Sequence, residues 1–380
     1  MKFSSRLTDV KPSATFKYAA LAKKPGVIDL TVGRPDFDTA PVVKEAAKKA
    51  LDEGKVHYTP GKGIPELRQR ISEKLMKENG VKGVDADRVI VSGGGKQVLF
   101  EAFLALVDDG DTVAIPNPAW VSYADMVAYA GGNVQWLPTS AEKGFIPGED
   151  FLSELENGDA KVVLVNSPSN PTGAVIPKKT LKQIADICAR KDAWLISDEV
   201  YEVFTYGGDV YSPGSDYEKT LTVGAFSKWL SMTGWRLGWG ASPKKELIDT
   251  MNLIQEMSLS CCTSFAQYGA VAAFTPEARE YAKKMRDTFK ERRDHVMNLM
   301  KDLDGVVCDK PEGAFYVFPR FDGWDDLALA DKLIEAGVGT VPGSPFGTRG
   351  AECIRISYGS ANKEILTSAF DRIKKVINNE

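Results

Sequence analysis

Residues 161–200 read KVVLVNSPSNPTGAVIPKKTLKQIADICARKDAWLISDEV: an apolar run, a turn-rich loop, a helical segment and a second apolar run. In the helical segment Leu181, Ile184 and Cys188 recur at three- and four-residue spacing, which predicts one buried face. The two apolar runs lack alternating polar residues, as expected for strands that are covered on both faces. This order therefore predicts a βαβ unit with parallel strands.

The same alternation extends on both sides of this unit, with strand candidates RVIVSG from Arg88, DTVAIP from Asp111 and TLTVGA from Thr220. We therefore predict an α/β fold with a mostly parallel sheet between helices, and a helical connector from about residue 264 to 303. A smaller α+β unit follows. The predicted domains are an N-terminal arm with part of the small domain (residues 1–45), a large cofactor-binding domain (46–284) and a small C-terminal domain (285–380).

Composition excludes several functional classes. The 380 residues carry a formal net charge of -4, which argues against a nucleic-acid or anionic membrane partner. No apolar run of about 18 residues and no signal-peptide pattern is present, so we predict a cytoplasmic protein that acts on small molecules. With two histidines, and five cysteines that show no CxxC spacing, no metal site is predicted.

Unusual polar residues follow the predicted strands, where open α/β sheets bind ligands. Glycines 93–95 precede a helix and suit a phosphate, although neither GxxxxGK[ST] nor GxGxxG is present, which disfavours a nucleotide loop and a nicotinamide dehydrogenase. Asn166 and Asn170 follow the next strand, in a stretch that otherwise reads as a plain turn. Asp198 ends a third strand and needs a cation or several donors if it is buried, or only solvent if it is not.

The stretch FSKWLSMTGWRLG, residues 226–238, places Lys228 and Arg236 among apolar and small residues. A lysine in such surroundings has a lowered pKa and can attack a carbonyl to form a Schiff base, and an arginine can hold a phosphate in two-point contact. Pyridoxal phosphate needs such an amine, an acid beside its ring nitrogen, a phosphate site and a flat surface. Lys228, Asp198, the glycines with Arg236, and Trp120 fit these needs, although Trp120 by itself equally fits a core residue.

Five motifs, YTPGKGIPELR, NPTG, SDEVY, SKWLSMTGWRLG and IRISYG, occur in the order found in class I aminotransferases, which are fold-type I pyridoxal phosphate enzymes. The chain resembles this family over nearly its whole length, and is most similar to the subgroup Ib aspartate aminotransferases, some of which also aminate prephenate. The resemblance implies transfer of the amino group of aspartate or glutamate to a 2-oxo acid, such as 2-oxoglutarate or oxaloacetate, by a ping-pong mechanism. It also implies a homodimer with shared active sites.

The resemblance assigns roles around the cofactor. Lys228 would form the Schiff base and then move a proton between the amino-acid Cα and the cofactor, while Asp198 would pair with the pyridine nitrogen. The other implied cofactor contacts are Trp120 against the ring, Asn170 and Tyr201 on the ring oxygen, the backbone of Gly94, Gly95 and Lys96 with Ser227 and Arg236 at the phosphate, and Tyr58 from a second subunit.

The resemblance also implies a substrate site. Arg355 in IRISYG would clamp the α-carboxylate, beside Gly33, Trp120 and Asn170. Without the resemblance, this arginine would read as a surface residue. The side-chain carboxylate of the substrate would face Lys96, Lys11, Ser13 and Thr15. A cation there favours binding of aspartate and glutamate over neutral substrates by about 1–3 kcal/mol.

Two departures from the family pattern affect these predictions. Ala225 stands where many relatives have a serine, so one phosphate donor is missing or is replaced by Ser227. Arg34 stands where an acidic or amide residue is common, which is expected to alter the substrate side of the pocket.

Three alternative functions remain open. They are an aminotransferase with prephenate or an aromatic 2-oxo acid as acceptor, a β-lyase with the same cofactor, and a ligand-binding protein without activity.

Overall fold

The structure is a computed structural model that describes residues 14–207 and 210–378. Its helices are α1 (Ala14–Leu21), α2 (Pro41–Asp52), α3 (Pro65–Glu78), α4 (Gly95–Leu106), α5 (Ser122–Tyr129), α6 (Glu149–Asn157), α7 (Lys178–Lys191), α8 (Phe226–Trp229), α9 (Lys245–Ser258), α10 (Ser264–Val271), α11 (Pro276–Leu299), α12 (Asp326–Glu335) and α13 (Lys363–Ile377). Its strands are β1 (Ile28–Asp29), β2 (Val89–Ser92), β3 (Thr112–Asn117), β4 (Asn133–Pro138), β5 (Val162–Asn166), β6 (Trp194–Asp198), β7 (Thr220–Ala225), β8 (Gly238–Ala241), β9 (Val306–Val307), β10 (Tyr316–Val317), β11 (Arg320–Phe321), β12 (Val338–Gly339), β13 (Val341–Pro342) and β14 (Ile354–Ser357).

The central sheet has seven strands in the order β2-β8-β7-β6-β5-β3-β4. Strands β4, β3, β5, β6 and β7 pair in parallel, whereas β8 is antiparallel to both of its neighbours. The predicted α/β fold with a mostly parallel sheet is therefore confirmed. The register places Asn166 directly beside Asp198, so the polar residues at two strand ends meet at one edge of the sheet.

Helices cover both faces of this sheet, which explains the continuous apolar runs. All five residues of β5 are buried. Val163 packs on one face with Leu181 and Ile184 of α7, and Leu164 packs on the other face with Phe103 of α4. Because successive strand residues point to opposite faces, a strand between two helix layers must be apolar throughout.

The region predicted as a helical connector contains two helices. Helix α10 ends at Val271 and α11 begins at Pro276. The Thr275 hydroxyl accepts a hydrogen bond from the Ala278 amide at 3.3 Å, which caps α11, and proline suits the first turn because the amide it lacks would have no partner there. None of the helices among residues 14–207 and 210–378 is long and apolar enough to cross a membrane.

The C-terminal region contains short strands rather than a second large sheet. β10, β14 and β13 form an antiparallel sheet, and β9 pairs with β11. The chain near the N-terminus joins this region, because Ile28 of β1 pairs with Val338 of β12 and Tyr18 of α1 belongs to the same hydrophobic core as α12 and α13. These contacts agree with the predicted arm over residues 1–45, while the domain boundaries stay a prediction.

Candidate active site

A cavity of about 490 Å³ lies where strands β5, β6 and β7 end. Its wall is completed by β14 and by the segment 31–34 near the N-terminus, so residues far apart in sequence share one space. The sequence-predicted residues that line it are Thr15, Gly33, Gly95, Lys96, Trp120, Asn170, Asp198, Tyr201, Ser227, Lys228, Arg236 and Arg355.

Asp198, the last residue of β6, supplies the only carboxylate among the described residues that line this cavity. The Tyr123 hydroxyl donates to its Oδ2 at 2.6 Å, and the Val200 amide donates to its Oδ1 at 3.2 Å. Burial raises the pKa of Asp198 to about 6, although both donors and nearby Lys228 oppose that rise. A buried carboxylate with this raised pKa is suited to pair with a cation.

Lys228 lies in the short helix α8, directly after β7. Its Nζ donates to the Gly33 carbonyl at 2.5 Å and lies 5.7 Å from the centre of the Tyr201 ring. Burial, followed by the positive charges of Arg355 and Arg236, lowers the pKa of Lys228 to about 8, although the negative charge of Asp198 opposes this shift. A larger share of this amine is therefore neutral near pH 7 than for an exposed lysine, which is what a nucleophile or base requires.

Arg355 projects from β14 and is buried. Its Nη2 donates to the Thr31 carbonyl at 2.7 Å, its Nη1 donates to Asn170 Oδ1 at 3.0 Å, and its guanidinium lies 4.8 Å from the centre of the Tyr316 ring. Its Nε is buried without a hydrogen-bond partner among the described residues. The planar fork is thus held in place and retains donor capacity for a carboxylate.

Arg236 lies against the N-terminus of α4. Its Nη2 donates to the Gly93 carbonyl at 3.2 Å, and Gly94, at φ +98°, leaves it room, because a Cβ there would lie 2.6 Å from that nitrogen. Arg236 is exposed and lines the cavity. An arginine beside free helical amides forms a site for an anion.

Lys96 and Trp120 form a further part of the cavity wall. The Lys96 ammonium lies 4.7 Å from the centre of the Trp120 ring and donates to the Ser122 hydroxyl at 3.1 Å. Burial, followed by the charge of Arg236, lowers the pKa of Lys96. The edge of Trp120 meets Tyr123 at 5.3 Å between ring centres and an interplanar angle of 86°. A flat apolar surface and a cation therefore face the same space.

The family model described as aminotransferase class I and II matches residues 25–373. The chain belongs to this aminotransferase family. A relative named probable aspartate/prephenate aminotransferase, from Aquifex aeolicus, is 41% identical over 391 residues that cover 98% of both chains. Another, named aromatic-amino-acid aminotransferase 2, from Thermococcus litoralis, is 39% identical and covers 99% of this chain and 98% of the relative. The structure of the Thermus thermophilus aspartate aminotransferase with maleate superposes with a TM-score of 0.94 at 39% identity, covering 99% of this chain and 100% of that chain.

The prediction of a class I aminotransferase is confirmed by these matches. Four predicted site residues are not among the described residues that line the cavity of this aminotransferase. Tyr58 lies outside the cavity and is 92% exposed, whereas Lys11 and Ser13 lie outside the described residues. Gly94 does not line the cavity, but its lack of a side chain leaves room for the Arg236 guanidinium. The roles of the individual residues stay predictions.

Two tyrosines of the aminotransferase site were missed by sequence reasoning. Tyr123 lies three residues after Trp120, and its amide donates to the Trp120 carbonyl at 3.0 Å in the turn that leads into α5. Tyr316, from β10, contacts Tyr201 by a hydroxyl–hydroxyl distance of 3.0 Å and lies against Arg355. No local pattern announces Tyr316, because only tertiary folding brings that strand to the sheet edge.

Proposed function

We propose that this chain is a pyridoxal phosphate-dependent aminotransferase that moves the amino group of aspartate or glutamate to a 2-oxo acid, with 2-oxoglutarate and oxaloacetate as acceptors. The observation that carries the proposal is one cavity that joins the Lys228 amine, the buried acid Asp198 and the buried fork of Arg355. Each group alone has ordinary structural explanations. Together they supply a base, a partner for a cationic ring and a carboxylate site.

The residues fit pyridoxal phosphate. The phosphate would be held by Arg236 and the N-terminal amides of α4, where Gly94 supplies the space that a side chain would fill. Asp198, a buried carboxylate, would pair with the ring nitrogen and hold it in its protonated form. Trp120 would face the ring, and Asn170 and Tyr201 its oxygen.

Pyridoxal phosphate supplies, when bound, an aldehyde that joins to amino groups and a cationic ring that withdraws electrons. The chain's own groups then direct the reaction. Lys228 Nζ, as a neutral amine, would take the proton from the substrate Cα and deliver it to C4′ of the cofactor. Arg355, held by the Thr31 carbonyl and Asn170, fixes the α-carboxylate and so orients that Cα toward Lys228.

Dicarboxylic specificity rests on Lys96, which lines the same cavity as Thr15. The relative from Aquifex aeolicus is named for both aspartate and prephenate, which supports prephenate as a further acceptor. Prephenate also carries a second carboxylate, so the same cation would serve it.

We also propose a homodimer with shared active sites. Tyr58 is 92% exposed, and Val56, Leu253 and Met257 are exposed nearby at 55%, 59% and 81%. The loop that carries Tyr58 is tied to α9, because Gln255 Nε2 donates to the Gly61 carbonyl at 2.6 Å. A patch of this kind suits a second copy, whose phosphate site Tyr58 would reach. Sedimentation of the protein as a monomer at assay concentration would refute this.

One assay tests the proposed activity. The purified protein, saturated with pyridoxal phosphate, receives glutamate as donor and oxaloacetate, prephenate or phenylpyruvate as acceptor, and amino-acid products are quantified by chromatography. We expect rapid transfer to oxaloacetate and slower transfer to phenylpyruvate. Formation of pyruvate and ammonia without any acceptor would instead identify a β-lyase, and no transfer from glutamate to any of these acceptors would overturn the proposal.

A further inference from the structure

Arg34 lies at the mouth of the cavity, on a segment whose backbone is fixed on both sides. Before it, the Gly33 carbonyl accepts from Lys228 Nζ at 2.5 Å. After it, the Asp36 amide donates to the Gly359 carbonyl at 3.0 Å, and the Asp36 carboxylate forms an ion pair with Arg292 at 2.8 Å. The Arg34 side chain is exposed and lines the cavity, so its base is rigidly placed while its guanidinium is accessible.

The guanidinium of Arg34 differs from the other cations of the cavity in having no fixed partner. Lys96, Arg236 and Arg355 each donate to a protein oxygen, at 3.1, 3.2 and 2.7 Å respectively. Within residues 14–207 and 210–378, Arg34 makes no side-chain hydrogen bond and no ion pair, although Asp36 lies two positions away. Asp36 is already engaged by Arg292 through both of its oxygens, at 3.0 and 2.8 Å.

The charges around the cavity do not balance without a substrate. The cationic side chains that line it are Arg34, Lys96, Lys228, Arg236 and Arg355, against the single described carboxylate of Asp198. Under the proposed function, Arg236 and Arg355 meet the phosphate and the α-carboxylate, and Lys228 serves as the reacting amine. Two cations, Lys96 and Arg34, therefore remain for the far end of the substrate, where partly desolvated positive charge favours an anion.

We infer that Arg34 is a specificity-determining residue that binds the side-chain carboxylate of a dicarboxylic substrate together with Lys96. This inference rests on the proposed function and adds to it a residue that selects the substrate. The planar guanidinium can contact both oxygens of a carboxylate, whereas the Lys96 ammonium acts as a point charge. Because Arg34 is exposed, its contribution is screened by water and salt and is smaller than that of a buried contact.

The test compares Arg34→Gln and Arg34→Lys with Arg70→Gln, which removes the same charge from an exposed position of α3 outside the cavity. For each holoenzyme, kcat/KM is measured with 2-oxoglutarate and with phenylpyruvate, and the ratio of the two values is the readout. Arg34→Gln should lower the ratio about 5- to 20-fold, as expected for one charged hydrogen-bonded contact. Arg34→Lys should lower it less, and Arg70→Gln should leave it unchanged.

A binding measurement separates recognition from chemistry. In the Arg34→Gln holoenzyme, the dissociation constant for succinate, measured by calorimetry, should rise by about the same factor as the kcat/KM ratio falls. The dissociation constant for 3-phenylpropionate should stay unchanged. Raising sodium chloride from about 50 to 500 mM should bring the succinate dissociation constants of the original protein and Arg34→Gln closer together, because salt screens the contact between Arg34 and the carboxylate.

Two outcomes would overturn the inference: a ratio in Arg34→Gln within twofold of the original protein, or equal losses with both acceptors, which would indicate a structural role. Either result with normal amino-group transfer by the original protein counts against Arg34 alone. Failure of the original protein to transfer any amino group would count against the proposed function instead.

Discussion

The floor of the cavity and its mouth are built differently. We use floor for Asp198, Lys228 and Arg355, and mouth for Phe16 and Arg34. Each floor group is held by named donors or acceptors, such as the 2.6 Å contact from Tyr123 to Asp198. At the mouth, Phe16 is 73% exposed and Arg34 has no polar partner within the described parts of the chain.

This difference suggests a division of labour. Groups whose positions are fixed by buried strands can carry the bond-making steps, because chemistry needs geometry that is set before the substrate arrives. Groups at an exposed edge contribute screened and adjustable contacts, which suit the choice of substrate. Substitutions should therefore reduce catalytic activity most at the floor and least at the mouth.

The largest effect is expected at Lys228. Lys228→Arg keeps the charge but provides no neutral amine, so kcat for aspartate with 2-oxoglutarate should fall by about 10⁴-fold or more. The visible absorbance of the bound cofactor should also change. Lys77→Arg, a matched change at an exposed position of α3, should retain full activity. Activity above about one hundredth of normal in Lys228→Arg would contradict the role of the floor amine.

Asp198→Asn should cost about 10²- to 10⁴-fold in kcat, because the amide cannot hold the ring cation. The same change should stabilise the cofactor-free protein at pH 7 by about 1–3 kcal/mol, since it removes a buried charge. Function and stability would thus move in opposite directions at one floor residue, which urea unfolding monitored by circular dichroism can check.

The size of this stability effect depends on pH. Burial raises the pKa of Asp198 from 3.8 to about 6, so between these values the unfolded chain releases its proton before the folded protein does. The folded state of the original protein therefore loses stability as pH rises from about 4 to 6. The advantage of Asp198→Asn should be absent near pH 4 and complete above pH 6; an advantage that does not vary with pH would show that the carboxylate is not desolvated.

Tyr123→Phe should have a smaller effect of about 5- to 10-fold on kcat, because it removes one donor to Asp198 but keeps the ring against Trp120. Loss of this donor should raise the pKa of Asp198, so the acid side of the kcat pH profile should move to higher pH. Tyr129→Phe, on the same helix α5 but outside the cavity, is the matched control. An unshifted profile would show that Tyr123 only fills space.

Phe16→Ala should have the smallest effect, with KM for 2-oxoglutarate changed less than about threefold and kcat retained, because this side chain is 73% exposed. Steady-state kinetics with both substrates checks this. A tenfold loss of kcat would erase the contrast between mouth and floor, and would show that the N-terminal helix α1 takes part in holding the reacting groups.

Much of the floor was predictable because it follows the strand pattern. The continuous apolar residues of β5 and β6 predict buried parallel strands, and parallel strands end at the same edge, so Asn166 and Asp198 had to lie near each other. Tyr316 was not predictable, because its two-residue strand has no periodicity and it reaches the site only through packing. The break at Pro276 was readable in principle, but the prediction gave only a helical region without its internal boundary.

The sequence by itself determined the α/β fold and the strand ends that carry polar residues, because local periodicity and the cost of burying charge act along the chain. The roles of Lys228 and Asp198 followed from cofactor chemistry and the family resemblance, and stay predictions. Only the tertiary structure decided that Thr31 and Gly33 hold Arg355 and Lys228, that Tyr123 supports Asp198 and that Arg34 faces the cavity without a described partner. Those contacts join segments separated by tens to hundreds of residues, and their geometry depends on how whole layers pack.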